Sequence, residues 1–273
     1  MLQGIAEARR SAEKKMRLLD QNQMSNPANF SGTTDDFLIP DIAWFENIKS
    51  EGWRDDISRS FALFHKEPHR LHIAYCVGEL LRQEMKTHQP VESPIDSKKT
   101  NQLQELLKNQ NYVETIEENI NLLRKDPLEP IVHLADKRAL IADSMLALHQ
   151  RAGKSIMKQL RANRNELKSY TPSIAKLTDT SLATTLSDLG ISDQQQKGLL
   201  CRQSAFYRYH FVYWAQVFQF SIGSPNLQTG DTRLLNDLVD SDYAVTASYC
   251  AHLETSDKKL QQLYEALMVA IKQ

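Results

Sequence analysis

Glycine and proline are scarce in this chain. Nine of each occur in 273 residues, about half the combined share of about 12% usual for globular proteins. Turns are therefore few, which argues against a sandwich or barrel built of many short hairpins. Cysteine is scarcer still. Cys76, Cys201 and Cys250 stand far apart and none forms a CxxC pair. That pattern indicates neither a disulfide framework nor a zinc ribbon, and it suits buried thiols of a reduced compartment. Uninterrupted apolar runs, such as residues 211–215, fall far short of the roughly 20 residues that span a bilayer. The start of the chain, MLQGIAEARRSAEKK, is charged and lacks the apolar stretch of a signal peptide. A soluble, cytoplasmic protein is expected. Excess charge is missing too. Lys and Arg number 33 against 34 Asp and Glu, a net charge of −1. Whole-chain charge therefore points to neither a polyanion nor a membrane partner, and any such signal must be local.

What is present suffices for a packed core, since 41% of residues are apolar and 25% charged. Residues 1–15 read as a charged N-terminal helix. KMRLLDQNQMS (15–25) reads as a brief strand running into a loop, and 37–40 as a second extended run. A helix is expected over 41–49, with Asp41 as its N-cap, and others over 54–64 and 76–87. Between the last two, RLHIAYCV reads equally as a buried strand or as the start of the later helix. The two prolines of THQPVESPIDSKK (87–99) mark the best linker. Beyond it nearly everything to residue 223 reads as helix: 100–109, 112–124, 130–169 and 191–221. After a loop at 221–231 come a helix over 241–250, a strand over 252–255 and a closing amphipathic helix from Asp257. The organisation expected is an α/β domain made of 16–95 and 224–273, with a helical subdomain, 96–223, inserted.

Acids punctuate the two ends. Asp20 closes the first strand, where α/β sheets place their sites, just outside the strand's carboxyl end. Glu46 lies among apolar residues of the next helix. Asp242 is placed to start a helix, with Asp240 and Asp237 as alternatives, and Asp257 follows the last strand. Converging carboxylates repel one another and take up protons unless a cation is present. Such hard oxygen ligands suit Mg²⁺ or Mn²⁺. The chemistry that uses them is in-line attack of water on a phosphodiester. On the plainer reading, Asp242 and Asp257 are helix caps.

Taken together, Asp20-x-Asn22, Glu46, Asp242-x-x-Val245-x-Ala247 and Thr255-x-Asp257 resemble PIN-domain ribonucleases. The resemblance implies a Rossmann-like α/β/α sandwich with a parallel sheet. It also implies a metal-dependent endoribonuclease acting on single-stranded RNA, with DNA left open as a substrate. A role as a toxin or in RNA processing follows, with an antitoxin or other protein as partner. Asp20, Glu46, Asp242 and Asp257 would be the catalytic, metal-binding acids, supported by Asn22, Thr255 and Ser256. The competing expectation is a non-enzymatic, mainly helical interaction module.

Other features carry less. Residues 151–168 place Arg151, Lys154, Lys158, Arg161 and Lys168 at helical spacing, a stripe suited to RNA phosphates or simply a solvated face. Gly153-Lys154-Ser155 lacks the preceding glycine and strand of a P-loop. The aromatics of FYRYHFVYWAQVFQF (206–220) could stack bases, but the segment reads rather as a buried core helix, from which Arg208 and His210 could snorkel to the surface. Pro68 separates His65, His69 and His72, and no acid or cysteine completes a zinc site.

Overall fold

A computed structural model describes residues 15–30, 32–40, 43, 52–116, 167–223 and 233–272, with single positions at 141, 143, 144, 146, 147, 150 and 158. Four strands, β1 (Met16–Leu19), β2 (Asp36–Ile39), β3 (Leu71–Ile73) and β4 (His252–Glu254), form one sheet. Its order is β3-β2-β1-β4, and every pair is parallel. Parallel strands are covered by helices and read as apolar runs rather than alternating ones. Leu18, Leu19, Phe37, Leu38, Ile39 and Leu71 are accordingly buried. Of the ambiguous RLHIAYCV (70–77), Leu71–Ile73 is a strand and Val77 already opens the helix that follows.

Nine helices are described: α1 (Gln21–Met24), α2 (Trp53–Lys66), α3 (Val77–Thr87), α4 (Ser97–Leu107), α5 (Thr171–Asp188), α6 (Asp193–Leu199), α7 (Ala205–Gly223), α8 (Arg233–Ala247) and α9 (Lys258–Lys272). The helix expected over 41–49 lies outside the described residues, as does most of 130–169. In α9 the buried set Leu260, Leu263, Tyr264, Leu267 and Ala270 repeats with the spacing of one helix face. The aromatic segment is indeed core: Phe206, Tyr207, Phe211, Phe218 and Phe220 of α7 are buried. It packs against α5, α8, α9 and α3.

Several sequence expectations need correction. Gln21–Met24 is a short helix rather than a loop. The run 191–221 is two helices, with a break at residues 200–204. The segment called a linker is fixed along β3. The Tyr75 N–H donates to the Pro94 carbonyl at 2.8 Å, the Asp96 N–H to the Ile73 carbonyl at 2.8 Å, and Ala74 and Ile95 form an antiparallel bridge. Asp96 then caps α4 by accepting from the Lys99 N–H at 3.0 Å. The Thr100 hydroxyl accepts from the Ile73 N–H at 3.0 Å, so α4 is seated on β3. Buried apolar side chains of the sheet and of α5, α7, α8 and α9 belong to one continuous cluster.

The histidines diverge, for structural reasons. Pro68 opens a single 3₁₀ turn, Pro68–Arg70. His65 Nδ1 lies 2.6 Å from the Leu107 carbonyl, and its ring stacks on Tyr112. Arg70 is buried, donates to the carbonyls of Thr33 and Asp35, and lies 5.0 Å from the Phe37 ring centroid. It ties the approach to β2 onto the start of β3.

Candidate active site at the sheet switch point

The chain runs from β1 outward through β2 to β3, then returns to the other side of β1 as β4. Strand order reverses between β1 and β4, and in open α/β sheets ligands bind outside the carboxyl ends of strands at such a point. The two strands are in register there, Leu19 facing Glu254. The Asp20 N–H donates to the Glu254 carbonyl at 3.0 Å and closes the ladder. Asp20 and Thr255 are therefore the first residues beyond the paired ends.

Side chains join at this point. The Thr255 hydroxyl donates to Asp20 Oδ2 at 2.8 Å, and accepts from the Asp257 N–H at 3.0 Å. Asp257 caps α9, its Oδ1 accepting from the Lys259 and Leu260 N–H groups at 2.6 and 3.1 Å. The cap reading of Asp257 is thus correct, and it does not remove the residue from the site. Asp20 is only 7% exposed. Burial holds its carboxyl above the usual carboxylate range; the Thr255 hydroxyl and the Gln21 N–H oppose the rise, and the charge of Asp257 adds to it. A buried acid beside a second acid, both oriented by the protein, is a place where a cation relieves repulsion.

The remaining expected residues fall as follows. Glu46 lies outside the described residues. Asp242 does not start a helix: α8 begins at Arg233, so Asp240 stands at its middle and Asp242 just past it, while Asp237 lies nearer its start. The helix packs against β1 and α9. Leu234, Leu235, Leu238 and Val239 extend the apolar period backwards, so Asp242 is not at an N-terminus. Among the described residues, no three His, Cys, Asp or Glu side chains gather closely enough to hold a metal. Asn22 and Ser256 are exposed; it is the backbone N–H of Asn22 that bears on Asp20. Of the basic stripe, Lys158 and Lys168 are exposed, while Arg151, Lys154 and Arg161 lie outside the described residues. Lys168 belongs to a 3₁₀ turn, Leu167–Tyr170, that leads into α5.

One polar residue beside the site escaped sequence reasoning. Arg17, in the middle of β1, donates to Asp35 Oδ2 at 2.6 Å and to Glu254 Oε1 at 3.0 Å. It clasps the end of β4 to the approach to β2, and its one signal was a cation inside an apolar strand run. Arg208 does not reach the surface. It is 6% exposed, donates to the Gln203 carbonyl and the Ser248 hydroxyl, and lies 3.8 Å from the Tyr249 ring centroid. His210 is half-buried, near Ser181, and desolvation pushes its pKa down to about 4.

The fold and this corner define a class: a parallel α/β protein with an acidic pair at its switch point. No protein-family model, curated protein or solved structure matches the chain. Among the described residues no helix is long and apolar enough to cross a membrane.

Proposed function

We propose that the protein is a PIN-like, Mg²⁺- or Mn²⁺-dependent endoribonuclease that hydrolyses phosphodiesters of single-stranded RNA. The observation that carries this reading is the joining of Asp20, Thr255 and Asp257 where β1 and β4 end. Those are the first and last acid motifs of the chain, 235 positions apart for Asp20 and Thr255. The four-stranded parallel sheet is of the kind the resemblance implies.

The donor set fits a small, hard divalent cation, which takes one or two carboxylates and retains several waters. Asp20 and Asp257 would hold it, with Glu46 and Asp242 as the further acids of the proposal. When bound, such an ion lowers the pKa of a coordinated water and neutralises charge on the phosphodiester. The chain's own contribution is orientation. Thr255 fixes Oδ2 of Asp20, and the amides of Lys259 and Leu260 fix Oδ1 of Asp257. Neither carboxylate must be ordered when substrate arrives.

One observation favours the other reading, a non-enzymatic helical interaction module: Asp257 caps α9 whatever else it does. The two readings part in one experiment. The full chain is incubated with single-stranded RNA and Mg²⁺ or Mn²⁺, with and without EDTA, beside Asp20→Ala. The expected result is cleavage that EDTA stops and that Asp20→Ala lacks. Cleavage that survives both treatments, or no cleavage by the wild type with either ion, overturns the proposal.

A further inference from the structure

We infer that the buried Glu84 carboxylate is a two-armed latch joining the strap 88–96 to the N-terminus of α7, so that the two open and close as one unit. Glu84 lies in the last turn of α3 and is fully buried. Its Oε1 accepts from the Val91 N–H at 2.9 Å and from the Ala205 N–H at 2.7 Å. Its Oε2 accepts from the Phe206 N–H at 3.1 Å.

The first four N–H groups of an α-helix have no partner within it. In α7 all four can be followed. Counted from the N-cap, Ser204 donates to the Cys201 carbonyl at 3.0 Å, Ala205 and Phe206 donate to Glu84, and Tyr207 to the Ser204 hydroxyl at 3.0 Å; Arg208 then makes the first regular bond of the helix, to the Ser204 carbonyl at 3.1 Å. The local cap serves only half the helix end. The other half depends on a carboxylate more than 100 positions away in sequence, and its negative charge suits the positive end of the helix dipole.

The strap depends on the same atom. Its first residue, His88, has φ 53°, and its carbonyl lies so close to Gly198 of α6 that a Cβ there would have no room. Its far end is held on β3 through Pro94, Ile95 and Asp96. Val91, between these anchors, is held by Glu84. Opening α7 alone would strip two donors from a buried charge; opening the strap alone would strip one. An ionised group left short of partners in the interior is strongly disfavoured. Opening both together lets water reach the carboxylate, and this is the cheaper route.

Amide hydrogen exchange on the full chain tests the latch, independently of any nuclease activity. In the wild type, exchange at Val91, Ala205 and Phe206 should rise with low urea along one common slope. Val91→Pro removes the strap's donor and leaves the sequence of α7 unchanged. It should speed exchange at Ala205 and Phe206 about tenfold, the factor set by one hydrogen bond of typical net strength, and leave α9 amides unchanged. Differing wild-type slopes overturn the latch, as does a Val91→Pro protein whose Ala205 and Phe206 amides keep their wild-type rates. Should Val91→Pro not fold, the wild-type slopes decide alone.

Discussion

Asp20 is held where its own charge is disfavoured. The folded chain binds its proton more tightly than the unfolded chain does, because burial and Asp257 outweigh the Thr255 hydroxyl. For a carboxyl raised in this way, the stabilising contribution is complete below the unfolded value and is lost as pH rises through the folded one. Asp20→Asn should therefore unfold at a higher temperature than wild type at pH 7 without added metal. The gap should close at low pH, where Asp20 is protonated, and Mn²⁺ should narrow it by stabilising the wild type alone. A variant no more stable than wild type at neutral pH would contradict this account. Asp20 was legible because it directly follows a strand pattern, and Asp257 because it lies just beyond one at the start of an amphipathic helix. Glu84 and Arg208 were not. Each sits at an ordinary helical position, and each has a partner far away in sequence, Ala205 and Phe206 for Glu84 and Ser248 for Arg208.

Helix existence was easier to read than helix ends. The break between α6 and α7 contains neither glycine nor proline, the usual punctuation; it is fixed by Ser204 and by the remote Glu84. The prolines of 87–99 did mark irregular backbone, yet pairing with β3 rather than composition decides that it is fixed. Asp242 suggests a helix start because aspartate is a common N-cap, whereas α8 begins nine residues further back. Gly198 shows how closely elements approach. It stands inside α6, where glycine costs about 1 kcal/mol relative to alanine in propensity alone. Gly198→Ala should nevertheless destabilise, by about 1–3 kcal/mol in urea titration, because the new methyl meets the His88 carbonyl. A gain in stability would mean that α3 and α6 can separate without cost.

At the scale of the whole molecule, sequence suggested one domain interrupted by another, whereas the buried apolar side chains of sheet and helices are continuous. Such a core should unfold as one unit. Tryptophans at 44, 53 and 214 sample both parts of the chain. Their fluorescence and the far-ultraviolet circular dichroism should trace a single coincident transition in urea. Two separated midpoints would restore the picture of independent units. The scarcity of glycine and proline was a fair sign of the helical majority, but the four short strands that build the site weigh little in composition.

The position of β4 has a consequence in time. Asp20 leaves the ribosome 235 residues ahead of Thr255. At synthesis rates of roughly 5–20 residues per second, that delay is on the order of ten to fifty seconds. Through all of it the nascent chain holds only half of the switch point. A chain that stops anywhere before β4 lacks Thr255 and Asp257, and with them the acid pair.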